Sequence, residues 1–125
     1  MALPAKLQND IKQFQRLQQE LSQYTQQRIQ MDLKLRETVQ TLDALSKIPA
    51  ESTVYRPVGG LLVRAKDRKE VEDLLSEEKE TLEVRVKALE RQENHLKDRY
   101  TQMQKELSEA IQAAGVTPEG RSSGT

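Results

Sequence analysis

Apolar residues recur at every seventh position through two long stretches of this chain, and a sustained seven-residue period restricts a sequence to a coiled coil. The first stretch spans residues 5–47. One of its series is Leu7, Phe14, Leu21, Arg28, Leu35 and Leu42; the other is Leu3, Asp10, Leu17, Tyr24, Met31, Thr38 and Leu45. Only Arg28, Asp10 and Thr38 depart from apolar character, over about six heptads. Pro4 stands where a helix start tolerates proline. Pro49 ends the stretch, because the residue before a proline avoids the helical region. No Gly or Pro lies between them.

The second stretch starts near Asp67, which forms a capping-box spacing with Glu70, and runs to about Ala114, where Gly115 supplies a stop. Its first series is Leu75, Leu82, Leu89, Leu96, Met103 and Ala110. The second, more mixed, is Glu72, Lys79, Val86, Glu93, Tyr100, Leu107 and Ala114. At about 1.5 Å per residue each helix is roughly 65–70 Å long. Composition fits narrow seams rather than a globule: 35% hydrophobic, 32% charged, one Phe and no Trp.

Between the helices the composition changes. Thr53-Val54-Tyr55-Arg56 is rich in β-formers, Pro57-Val58-Gly59-Gly60 has turn chemistry, and Leu61-Leu62-Val63-Arg64 is a second β run. The predicted fold is mainly α: an antiparallel two-helix coiled coil joined by one short β-hairpin (residues 53–65). Residues 1–116 form a single domain, and residues 117–125 are a disordered tail. A fold centred on the glycines, with a slip of one heptad as the alternative register, pairs Leu42 with Leu75, Leu35 with Leu82, Leu21 with Leu96 and Phe14 with Met103. It also sets Arg28 opposite Leu89, with Glu93 one turn away as a charge partner. The hairpin is apolar on both faces, and two short strands are not stable alone in water. Nothing else in the chain can cover Val54, Tyr55, Leu61, Leu62 and Val63, so these residues are expected to pair with hairpins of other subunits; the competing reading is a local hairpin that merely caps the coiled coil, which would leave Leu61, Leu62 and Val63 partly wet.

The order long helix, hairpin, long helix, with these residues in it, resembles the prefoldin beta family of archaeal type. The matching stretches are Phe14-Gln15-Arg16-Leu17-Gln18-Gln19, Val54-Tyr55-Arg56 with the glycines and Leu61-Leu62-Val63-Arg64, Leu89-Glu90-Arg91-Gln92-Glu93, and Ala110-Ile111 with Ala114-Gly115. They cover about residues 3–116. Pro57 departs from the small polar residue expected in the turn. The resemblance implies a cytosolic, ATP-independent holdase chaperone. It implies a hexamer of two alpha and four beta subunits whose hairpins form an inter-subunit β-barrel. It also implies coiled-coil tips that hold unfolded proteins and deliver them to a group II chaperonin.

The residues themselves place a binding surface where both termini meet. There Leu3, Leu7 and Phe14 approach Met103, Leu107 and Val116, while Ile11 and Ile111 lie one position off the seam. Asp10 and Ala110 are weak seam residues, so frayed, imperfectly closed ends are expected to expose apolar groups to a client. The competing reading is that Leu7, Phe14 and Leu107 simply complete the seam. Several weak tips on one platform would bind through multivalency.

Other functions find little support. Net charge is zero, from 20 basic and 20 acidic residues that are interspersed, which argues against nucleic-acid binding. There is no cysteine, and His95 is the only histidine, on a polar face. Acidic pairs such as Glu77 with Glu78, and Glu70 with Glu72, have Lys and Arg neighbours on helix faces. Gly59-Gly60 fits no phosphate-cradling motif. No enzyme activity, cofactor or metal is expected. Met1-Ala2-Leu3-Pro4 lacks the basic start and apolar run of a signal peptide, and no stretch approaches a membrane span; a cytoplasmic location is expected. The alternative is a purely structural scaffold or tether. A transcription-cleavage factor would need acidic residues at the connector, and a membrane-surface helix a wide apolar face with a basic rim.

Overall fold

The structure, a computed structural model, describes residues 3–115. Val116 and the tail expected after it lie outside the described residues. The element order is α1 (Ala5–Lys47), β1 (Tyr55–Val58), β2 (Leu61–Arg64) and α2 (Arg68–Ala113). This is the two-helix, one-hairpin architecture predicted from the heptads and the turn residues.

The helix ends follow from local chemistry. In the first turn of α1 the Gln8 N–H donates to Pro4 O (3.0 Å), and the Gln8 side chain donates to Leu3 O (2.9 Å). At the start of α2 the Glu70 N–H donates to Asp67 Oδ1 (2.9 Å). The Glu70 carboxylate accepts in return from the N–H of Lys66 (2.7 Å), one residue earlier than a standard capping box. Gly115 takes φ +76° and its N–H donates to Gln112 O, a left-handed helix stop.

The chain divides into two compact units. In the unit Gln27–Ala88, Thr38, Leu45, Leu82 and Val86 are buried, with Leu35, Leu42 and Leu75 half-buried. Thr38 tolerates burial because its hydroxyl donates to its own helix at Lys34 O (2.9 Å). Lys34 and Glu78 bridge the two helices at 3.6 Å. At the root of the hairpin Leu45, Ala65 and Val71 form a small buried cluster, with Ile48, Val54 and Leu75 packed on it. Arg68 ties this cluster down: it donates to Ile48 O (2.7 Å), a carbonyl just past the end of α1, and pairs with Glu72 (3.0 Å).

In the unit Met1–Gln26 with Leu89–Thr125, the buried residues include Leu7, Leu17, Leu96 and Leu107, with Glu93 among them at 3% exposure. The Thr25 hydroxyl donates to Glu93 Oε2 at 2.6 Å. Every described position of the two α1 series is buried or half-buried. On α2 the expected seam position Ala110 is instead exposed; its single methyl offers little area to bury.

The hairpin corrects the sequence reading in one respect. Pro57 and Val58, expected in the turn, belong to β1 and pair with Leu62 and Leu61. The loop is only Gly59-Gly60, with positive φ (+59°) at Gly59 alone, the signature of a type II′ turn. Proline is accepted because of phase. The Ala65 N–H donates to Val54 O (2.8 Å), so hydrogen-bonded pairs alternate as Val54/Ala65, Arg56/Val63 and Val58/Leu61. Pro57 falls at a non-hydrogen-bonded pair, and its missing N–H would have pointed out of the hairpin.

Candidate binding surfaces

The first surface lies in the terminal unit. Ile11, Phe14, Gln15 and Gln18 of α1 and Gln104, Leu107, Ser108 and Ile111 of α2 line an open groove. None of them is charged. Ile11 follows Asp10 by one position and Ile111 follows Ala110 by one, so both widen the seam toward the same side. On the other side of Leu107 the groove is bordered by Lys6, Asp10, Glu106 and Glu109. The end of this coiled coil is therefore one-sided, apolar on one flank and charged on the other.

Phe14 is held in place by stacking on Tyr100, with ring centroids 4.8 Å apart and planes 28° from parallel. Gln18 donates to the Tyr100 hydroxyl at 3.3 Å, so the ring is fixed from its polar end as well. Met103, the expected neighbour of Phe14, faces the charged flank with Lys6 and Asp10.

Of the expected tip residues, Ile11, Phe14, Leu107 and Ile111 come together in the apolar groove. Leu7 is buried inside the seam, Leu3 is half-buried outside the groove lining, and Val116 lies outside the described residues. Fraying is not seen among the described residues: α1 is helical from Ala5 and α2 continues to Ala113. The groove arises from a residue offset, not from melted ends. The polar walls Gln15, Gln18, Gln104 and Ser108 carried no signal of their own beyond their distance from the seam, and Tyr100 was legible as a seam position but not as the platform for Phe14.

The second surface is the hairpin. Tyr55 (57%), Leu61 (70%), Leu62 (74%) and Val63 (38%) are exposed, as is Val58, which sequence reading assigned to the turn. Val54 is the exception, turned onto the cluster at the hairpin root. Alternation puts Tyr55, Pro57, Leu62 and Arg64 on one face, and Val54, Arg56, Val58, Leu61 and Val63 on the other. Both faces thus carry apolar side chains that this chain leaves in water.

Among the described residues no group of His, Asp and Glu is placed to hold a metal ion. Among them, too, no helix is long and apolar enough to cross a membrane.

Comparison with known proteins agrees with this geometry. The prefoldin subunit family matches residues 8–114. The chain is 40% identical over 109 residues to the prefoldin subunit beta of Archaeoglobus fulgidus, covering 87% of this chain and 93% of that protein. It is 38% identical over 116 residues to the prefoldin subunit beta of Thermococcus gammatolerans, covering 93% and 95%. The crystal structure of the prefoldin beta subunit from Thermococcus strain KS-1 superposes with a TM-score of 0.79 at 33% identity, covering 88% of this chain and 96% of that one. With its heptad helices, its hairpin and these relatives alike, the chain belongs to the prefoldin subunit family, alongside the archaeal beta subunits.

Proposed function

We propose that this chain is a subunit of an ATP-independent holdase, which captures unfolded polypeptides at its terminal coiled-coil ends and passes them to a group II chaperonin in the cytosol. The observation that carries this reading is the uncharged groove of Ile11, Phe14, Leu107 and Ile111. A half-open apolar trough accepts a leucine- or phenylalanine-sized side chain of any extended segment without demanding a sequence. Full burial of such a side chain is worth about 1.5–3 kcal/mol before ordering costs, so one end binds weakly. Weak ends become useful when several act together. The exposed hairpin, apolar on both faces, suits that role as the element through which subunits join. The assembly is a hexamer of two alpha and four beta subunits, with the hairpins in an inter-subunit barrel.

The test is light scattering of a denatured client diluted into the co-assembled complex. Complexes of the intact chain should suppress aggregation. Complexes of a chain lacking residues 1–11 and 107–125 should lose that suppression. Equal suppression by both would move client binding away from the terminal groove, and none by either would favour a structural scaffold.

A further inference from the structure

Phe14 is the only phenylalanine of the chain, and the seam does not require it. Leucine fills the same heptad series at Leu7, Leu21, Leu35 and Leu42. The ring meets two surroundings. Tyr100 stacks on one face, with centroids 4.8 Å apart and planes 28° from parallel, and is itself anchored by the Gln18 side chain, which donates to its hydroxyl at 3.3 Å. Tyr100 does not line the groove, whereas Phe14 does, together with Ile11, Leu107 and Ile111. The side of the ring that Tyr100 leaves uncovered therefore borders the groove, and Phe14 stays half-buried. An aromatic ring carries negative charge density on its faces and positive on its edge, so it attracts a second ring, edge-on or offset, beyond what contact area supplies. The stack on Tyr100 also opposes a change of rotamer that would fill the groove with the ring of Phe14 itself.

We infer that the groove favours aromatic side chains of an unfolded client over aliphatic ones of the same size, with Phe14 as the ring they meet and Tyr100 as the positioning residue that keeps Phe14 at the groove wall. A client ring docked against Phe14 adds to the stacked pair already present. The preference is graded and sits within the broad acceptance of apolar side chains. This inference rests on the terminal groove being where clients bind.

The test compares a pair of unstructured apolar peptides binding to the assembled complex, followed by fluorescence anisotropy. They are identical except that phenylalanine in one is cyclohexylalanine in the other, a side chain of similar shape that is larger, more apolar and without π electrons. Burial alone makes the cyclohexyl peptide the tighter ligand. The phenylalanine peptide should instead bind roughly two- to tenfold tighter. Equal binding, or tighter binding of the cyclohexyl peptide, overturns the inference. Phe14→Leu should abolish the preference and Tyr100→Leu should reduce it, while Tyr100→Phe, which keeps a ring to stack, should retain it. The ratio of the two affinities within one complex does not depend on how much of a variant is folded. An undiminished ratio in Phe14→Leu therefore overturns the role of that ring, and an undiminished ratio in Tyr100→Leu overturns the positioning role. Ile11→Ser with Ile111→Ser checks the underlying reading and should weaken both peptides together. If both bind that variant as tightly as the unsubstituted complex, the terminal groove is not the client site, and that reading falls whatever the peptide ratio.

Discussion

Glu93 sits almost fully buried beside the leucines of its seam, where Thr25 donates to it at 2.6 Å. Removing a hydrogen bond to a buried carboxylate costs about 1.5–3 kcal/mol. Thr25→Val should therefore lower the urea midpoint of helix unfolding, followed by circular dichroism, by that equivalent. No change would mean that Glu93 is satisfied without Thr25. The buried position of Glu93 was legible from the heptad, but its partner Thr25 was not, since Thr25 lies one place off the series. Phe14 gives the same lesson. The heptad places it in the seam, yet its stacking on Tyr100 depends on which side of the seam each ring takes. Gly59 makes a sharper residue-scale prediction. At φ +59° any Cβ is strained, whereas Gly60 has open space and no positive φ. Gly59→Ala should destabilise the hairpin by about 1–3 kcal/mol, read as faster amide exchange at Val63 and Ala65. Gly60→Ala should leave those rates unchanged.

At the scale of elements, the helices are self-announcing and the strands are not. The ends of α1 coincide with the proline boundaries, because proline acts through local sterics that any context preserves. The hairpin was legible as a hairpin from its glycine pair. Its strand limits were not, because Pro57 reads as a turn former until the pairing phase shows its nitrogen pointing outward. The start of α2 rests on Asp67, which accepts from Glu70 N–H beside the Arg68 tether to Ile48 O. Asp67→Ala should cost about 0.5–2 kcal/mol, measured as a lower thermal midpoint. Asp67→Ser, which keeps a capping oxygen, should recover most of it. Equal loss in both variants would assign the effect to charge near the helix start and not to capping.

For the molecule as a whole, division of labour between two apolar surfaces is the central claim: a hairpin that joins chains and a terminal groove that takes clients. Ile11 and Ile111 separate the two, because neither completes the heptad and both line the groove. Their off-series positions were readable in advance, while the charged flank opposite them became visible only once Lys6, Asp10, Glu106 and Glu109 were brought to one side. The direct test is aggregation of a denatured client followed by light scattering with complexes carrying Ile11→Ser and Ile111→Ser together. Losing half-burial of two such side chains, about 1 kcal/mol each, weakens one end roughly 30-fold. Suppression should fall sharply while the complex keeps its mass, and Lys6→Ser with Glu109→Ser on the charged flank should behave as the unsubstituted complex. Full suppression by the isoleucine variant in an intact complex would contradict the account.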